Sequence, residues 1–425
     1  MRRQELKGQS SITWAAVVTV YLAGFLQGLT LVSFPASSSV LKQMHGFSDA
    51  QYGAIFLPQV AFAILGALVG GSLAKRLGLR HLLWVALLVN ALSQLALAGS
   101  VVMNPTLAFG VVLLGTASLG LGFGLSGAPL NSYPPAFFPE RRDTALVALH
   151  TSLGIGLASG PLLVGWFVAE GLWIGFPLLL LAVSVALALA TLWAGLPNTD
   201  LSGDAAAAPT PQARPAAALS FWLFATITVL YAFAEGTFSN WAVIYLHEAK
   251  QLPEMTAALA LSLFWAAMAG GRLLVSTVVL YVPAQRVWLF LPVLMITAFL
   301  ALPYAHSAAT GIGLFALAGF ACSGFFPLTI GLVSTRFPQH VAWVSSMMIA
   351  ALMIGVGLGS FVIGPLRQWL TLEQLYQVSA IYPLAALALA LAFFGLESRP
   401  RVVLAGPKPG KASVKVSRRT GAEPR

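Results

Sequence analysis

Charge is what this sequence has least of. Only 8% of its 425 residues are Asp, Glu, Lys or Arg, while 58% are hydrophobic. A soluble domain carries about 25% charged residues. A chain this poor in charge cannot cover itself with a water-facing surface, so most of its exterior must face lipid. Cysteine is almost absent as well: Cys322 stands alone, which excludes an intramolecular disulfide and leaves a thiol that acts as a small hydrophobe in its apolar stretch. No cluster of Cys and His has metal-ligand spacing, so neither a metal nor another cofactor is expected. No Gly-rich loop ends in Gly-Lys-Ser or Gly-Lys-Thr, which excludes ATP-driven work by this chain alone. Asp143 and His150 come nearest to a catalytic cluster, and no third group orients them, so the chain is not read as an enzyme.

What is abundant is long apolar runs. Twelve stretches near the length of a bilayer core follow one another, at 13–36, 51–74, 82–102, 107–133, 145–168, 173–195, 219–246, 256–281, 286–305, 308–335, 341–366 and 374–396. The first follows Arg2, Arg3 and Lys7 like a signal peptide but is longer than a cleavable core, and reads as a retained span. With the N-terminus in the cytoplasm, nineteen of the 23 Lys and Arg residues fall on the cytoplasmic side. A miscounted span would spoil that bias. The net charge of +10 is therefore a signal of topology rather than of nucleic-acid binding.

The expected organisation is a cytoplasmic tail (1–12), a six-helix bundle (13–196), a cytoplasmic Pro/Ala-rich linker (197–218), a second six-helix bundle (219–396) and a basic cytoplasmic tail (397–425). The two bundles repeat one another. Gly70-Gly71-Ser72-Leu73 matches Gly270-Gly271-Arg272-Leu273, Gly122-Phe123 with Pro129-Leu130 matches Gly319-Phe320 with Pro327-Leu328, and Gln27-Gly28 matches Glu235-Gly236. The offsets cluster near 200, which places two repeats in the same orientation about the linker.

At this point the chain resembles the major facilitator superfamily over nearly its whole length. The strongest local marker is Gly70-Gly71-Ser72-Leu73-Ala74-Lys75-Arg76-Leu77-Gly78-Leu79-Arg80, similar to the family's signature loop, with Lys75 where the family usually has an acid. Glu235-Gly236 with Asn240-Trp241, Phe264-Trp265 with Gly271-Arg272, and Gly324-Phe325-Phe326-Pro327 resemble the fucose permease-type branch. The resemblance implies an all-α membrane protein of twelve transmembrane helices in two parallel six-helix pseudo-repeats. Spans one, four, seven and ten would line a central cavity, and the halves would rock about it. It also implies that Lys75, Arg76, Arg80 and Arg272 belong to a cytoplasmic gate, Arg272 by binding helix-end carbonyls.

The residues themselves single out Glu235. Twelve of the thirteen acids lie in tails, the linker, connectors or span ends, and Glu235 alone falls about halfway along a span. A charge at the bilayer centre costs roughly 2.5–3.5 kcal/mol or more, and such a residue is functional by default. A carboxyl there can load and release a proton as its exposure changes. Tyr231 and Ser239, at i−4 and i+4, share its helical face.

Gln27, with Thr30 on its face, occupies the matching place in span one, and an amide that donates and accepts suits a polyol or amide solute. Asn131, Asn240, Trp265, Phe325 and Phe326 complete the substrate-binding candidates. The competing role for each is structural: an interhelical hydrogen bond of about 0.6 kcal/mol for the amides, packing for the aromatics, and an interface belt for Trp241. His150 is either a proton relay or a satisfied interior histidine.

The function expected is proton-coupled secondary transport of a small polar organic solute, sugar-like or another metabolite, by a monomer in the inner membrane. Its partners are that solute, protons and the lipid bilayer, with no nucleic acid. A proton-driven exporter of amphipathic compounds is the alternative, kept open by Gly156, Gly160, Pro161 and Gly165, which partly match the family's antiporter motif.

Overall fold

Apolar runs of this length have one way to satisfy their backbone in lipid, which is to close every hydrogen bond within a helix. The computed structural model describes residues 13–197, 216 and 218–397, and among them there is no strand. The expected tails and most of the linker lie outside the described residues. Twelve helices are long and apolar enough to span a membrane: α1 Trp14–Leu31, α2 Asp49–Leu77, α3 Leu79–Val102, α4 Pro105–Phe137, α5 Thr144–Ala169, α6 Gly175–Trp193, α7 Leu219–Ala249, α8 Glu254–Val278, α9 Ala284–Tyr304, α10 Ala308–Arg336, α11 Trp343–Leu366 and α12 Leu372–Gly395. Twelve crossings bring the start of α1 and the end of α12 to one face, here the terminal face; the other is the distal face.

Local sequence sets the helix ends. On the distal face, Ser48, Asn104, Ser307 and Thr371 cap α2, α4, α10 and α12 by accepting a backbone N–H with their side chains. Each cap satisfies a donor that the first helical turn leaves orphaned. On the terminal face, α2 turns into α3 through Gly78 alone, at φ 80°, a value that favours glycine. Exposed aromatics mark both faces: Trp14, Trp193 and Tyr281 at the terminal one, Tyr304 and Trp369 at the distal one. This is the arrangement that amphipathic rings adopt at headgroup level.

The halves pack alike. In the first, α1 lies on α5 and α2 on α4; in the second, α7 lies on α11 and α8 on α10. Glycine makes each crossing close, as lipid-embedded helices require. A methyl placed at Gly28 would run into the Leu153 carbonyl oxygen, and one at Gly236 into that of Val356. Likewise Gly120 abuts the Gln59 carbonyl, and Gly319 that of Phe264.

These contacts correct the repeat register in α2 and α8. Gly66 packs against Leu121 and Gly124, and Gly271 against Phe320 and Ser323. Gly271 is thus the counterpart of Gly66, about one turn away from the Gly71 that local similarity matched to it. The sequence match followed a shared Gly-Gly pair, whereas the crossing is set by which glycine faces the neighbouring helix.

Across the halves, α5 packs on α8 and α2 on α11. Close cross-half approaches run from the distal face, at Gly364 with Asp49, Gly53 with Phe361 and Gly165 with Ala258, to Gly357 with Val60 nearer mid-span.

Candidate translocation site

Polar chemistry forms two layers, one across the halves at the distal face and one within the second half at mid-span. The first closes the distal face. Lys42 Nζ lies 2.6 Å from both Asp49 Oδ1 and Glu248 Oε1, and Arg367 Nε donates to Asp49 Oδ2 at 3.0 Å. These bonds tie the first half to the second, and Gln43 adds a contact to His247 at 3.2 Å. Beneath them the Tyr52 hydroxyl donates to the Asn240 carbonyl at 2.6 Å, with its ring edge-on to Trp241. Trp241 is fully buried and donates to the Ser360 carbonyl, so it forms the floor of this closure and does not belong to an interface belt.

The second layer lies at mid-span. Glu235 is partly exposed and faces α8 and α10 rather than lipid: Tyr231, Arg272 and Cys322 are the electrostatic neighbours of its carboxyl. The Tyr231 hydroxyl donates to the Cys322 carbonyl at 3.0 Å, and its ring stacks on Phe325, which in turn stacks on Trp288. A protonated Glu235 can donate to the tyrosine oxygen while the tyrosine keeps its own bond. An ionised Glu235 must instead find a donor, in Tyr231 or Arg272. The cluster therefore has two hydrogen-bond arrangements, one for each protonation state.

Arg272 is exposed, and its Nη2 contacts Met268 Sδ at 3.4 Å. The helix-end carbonyls expected as its partners are not among its contacts. It lies within electrostatic range of His150 on α5, itself exposed. Lys75 and Arg76 are exposed at the terminal end of α2, and Arg80, at the start of α3, is partly exposed beside Tyr133.

The other expected residues divide. Gln27 is buried and accepts from Asn90 Nδ2 at 3.0 Å and from Ser126 Oγ at 3.2 Å, while its own Nε2 has no partner. Thr30 and Ser239 bond backbone carbonyls of their own helices, at Gln27 and Glu235. Asn240 donates to Ser360 Oγ at 2.7 Å, and Phe325 is buried in the stack. Asn131 is exposed and bonded to the Gly127 carbonyl. Trp265 and Phe326 are partly exposed, and the buried indole N–H of Trp265 has no partner.

Sequence reading missed the α3 side of this seam: Asn90, Ser93 and Gln94, all buried, with Asn90 Oδ1, Ser93 Oγ and Gln94 Oε1 unpartnered. Their i, i+3, i+4 spacing on an apolar helix was the available signal.

The model of the Major Facilitator Superfamily matches residues 14–340. The inner membrane transport protein YdiN of Escherichia coli (strain K12) is 24% identical over 89% of this chain and 89% of its own length. The 4-hydroxybenzoate transporter PcaK of Pseudomonas putida is 30% identical over 36% of this chain and 33% of its own. Among solved structures, a bacterial homologue of the human lysosomal transporter Spinster, in an inward-facing and occupied form, superposes with a TM-score of 0.74 at 14% identity, covering 92% of this chain and 98% of that one. That likeness shows the fold. None of these relatives singles out the fucose permease-type branch. With twelve spans, paired six-helix repeats and a family match across most of its length, the chain belongs to the Major Facilitator Superfamily: it is a multi-pass membrane transporter and not an enzyme.

Proposed function

We propose that this protein moves a small polar organic solute across the inner membrane by alternating access, coupled to protons through Glu235. The observation that carries the reading is the Glu235 carboxyl near the middle of α7, turned inward toward Tyr231 and Arg272. An acid held in a membrane interior is costly unless it does a task there. The two hydrogen-bond arrangements of the cluster give that task a physical form, because loading a proton changes which neighbours the carboxyl needs.

The remaining parts follow from the same reading. The termini, the linker and the terminal face are cytoplasmic, in line with the basic residues on that side. The Lys42–Asp49–Arg367 and Lys42–Glu248 bonds hold the outer side shut in this state. Lys75, Arg76 and Arg80 belong to the cytoplasmic gate that closes when the outer side opens. Gln27, Asn131 and Trp265 are the candidates for direct solute contact, since each carries a polar group that is unpartnered or exposed. Thr30, Tyr231, Ser239, Asn240, Phe325 and Phe326 shape the wall around them, and the unit of function is one chain.

Proteoliposome uptake under an imposed pH gradient tests the coupling, with candidate solutes including 4-hydroxybenzoate, the cargo named for one relative. Glu235→Gln is expected to abolish gradient-driven accumulation while leaving exchange between equal pools intact. Undiminished accumulation by that variant removes the assignment.

A further inference from the structure

We propose that Arg272 is the anchor for a carboxylate on the transported solute, and that the substrate class is accordingly a small organic anion. This rests on the proton-coupled reading above and deepens it.

Arg272 is a permanent cation inside α8, six residues before that helix ends. Among the described residues it forms no ion pair, and its one hydrogen-bond contact is the Met268 sulfur, a weak acceptor. A guanidinium inside a membrane protein is normally paired with an acid or with backbone carbonyls. Here the fold brings an acid near and stops short of pairing it. The charged and titratable groups around the pair are few: Tyr231 on α7, Cys322 on α10 and His150 on α5. Glu235 is the only acid among these described groups, and it is the counter-charge that the fold brings nearest to Arg272.

The same face of α8 supplies more. Trp265 and Met268 precede Arg272 by seven and four residues, which puts all three on one helical stripe. Trp265 is partly exposed, and its indole N–H is unpartnered. The stripe thus carries a flat ring, a buried N–H donor without a partner and an exposed two-pronged cation. This suits a solute with an apolar body, an acceptor and a carboxylate, because guanidinium and carboxylate match in bidentate geometry.

Charge balance then links the anion to the proton. When Glu235 is ionised it can neutralise Arg272 and the site needs no anion. When Glu235 takes up a proton, Arg272 is left without a counter-charge and the solute carboxylate supplies one. Proton and anion therefore load together and leave together. A neutral solute would leave Arg272 uncompensated in the protonated state.

The test is equilibrium binding to the full-length purified protein, using matched acid and amide probes: benzoate against benzamide, 4-hydroxybenzoate against 4-hydroxybenzamide, lactate against lactamide. At least one acid is expected to bind about tenfold or more tighter than its amide. Arg272→Gln should erase that preference while amide binding, the sign of an intact fold, persists. Arg272→Lys should restore part of it, since charge is kept and the bidentate fork lost. Glu235→Gln should keep acid binding and flatten its dependence on pH. If no acid is preferred over its amide, or if Arg272→Gln keeps the preference, the anchor is overturned and proton coupling stands untouched. If Glu235→Gln accumulates solute fully under a gradient, the coupling falls while a measured acid preference keeps the anchor.

Discussion

The two halves share a frame and differ in chemistry. Gly28 and Gly236 make the same crossing, against Leu153 on α5 and Val356 on α11. One residue before each stands Gln27 in the first half and Glu235 in the second. Gln27 turns to Asn90 and Ser126 and joins a neutral seam of amides and hydroxyls. Glu235 turns to Tyr231 and Arg272 and joins a cluster of ionisable groups. The difference teaches where freedom lies in this architecture. Backbone approach is constrained in both halves, while the side chain next to the crossing is open to a new task.

The comparison breaks first at Glu235. If the second half holds the coupling, Glu235→Gln loses nearly all pH-driven accumulation, and Gln27→Glu does not restore it in the double variant; uptake in proteoliposomes decides. Next come the crossings. Gly28→Ala and Gly236→Ala should each destabilise the protein by roughly 1–3 kcal/mol, the usual range for overpacking. Gly110→Ala and Gly331→Ala, where a Cβ meets open space, should be near neutral. Thermal unfolding in detergent ranks the four, and a silent Gly28→Ala would show that the halves do not share their frame.

A comparable effect is expected in the neutral seam. Gln27→Leu leaves Asn90 Nδ2 without its acceptor, while Ser126 Oγ keeps the Phe123 carbonyl, and should cost about 1–3 kcal/mol, read as a lower melting temperature. The smallest effect concerns the distal bonds between the halves. Lys42→Met releases Asp49 and Glu248, whose side chains are 20% and 33% exposed, so solvent screening limits the loss to about 1 kcal/mol. Labelling a cysteine introduced at Asn240, buried beneath these bonds, in a Cys322→Ser background, should speed up a few-fold as the distal face opens more often. An unchanged rate would mean that packing alone, through Gly53 and Gly364, keeps it shut.

The architecture was legible because lipid leaves so little choice. Span count, repeat symmetry and the position of Glu235 follow from hydropathy and from thirteen acids placed one by one. Trp241 misled because a tryptophan near a span end has two physical uses, and only the neighbouring Tyr52 and Ser360 show that it is buried between helices. Arg272 misled for a related reason: its family context points to helix-end carbonyls, yet its contact is Met268. The Asn90, Ser93 and Gln94 stripe was written in the sequence but could not be weighed, since an amide on a membrane helix reads alike whether it faces a neighbour or a cavity.

By itself, the sequence determined a twelve-span membrane protein with two like halves and one acid at mid-span, because burying backbone and charge in lipid has steep, local costs. Only the tertiary structure decided which partners that acid meets, which glycines carry the crossings and which face is closed. Those outcomes depend on the rotation and register of one helix against another, and the differences in packing that set them are small beside the cost of leaving the membrane.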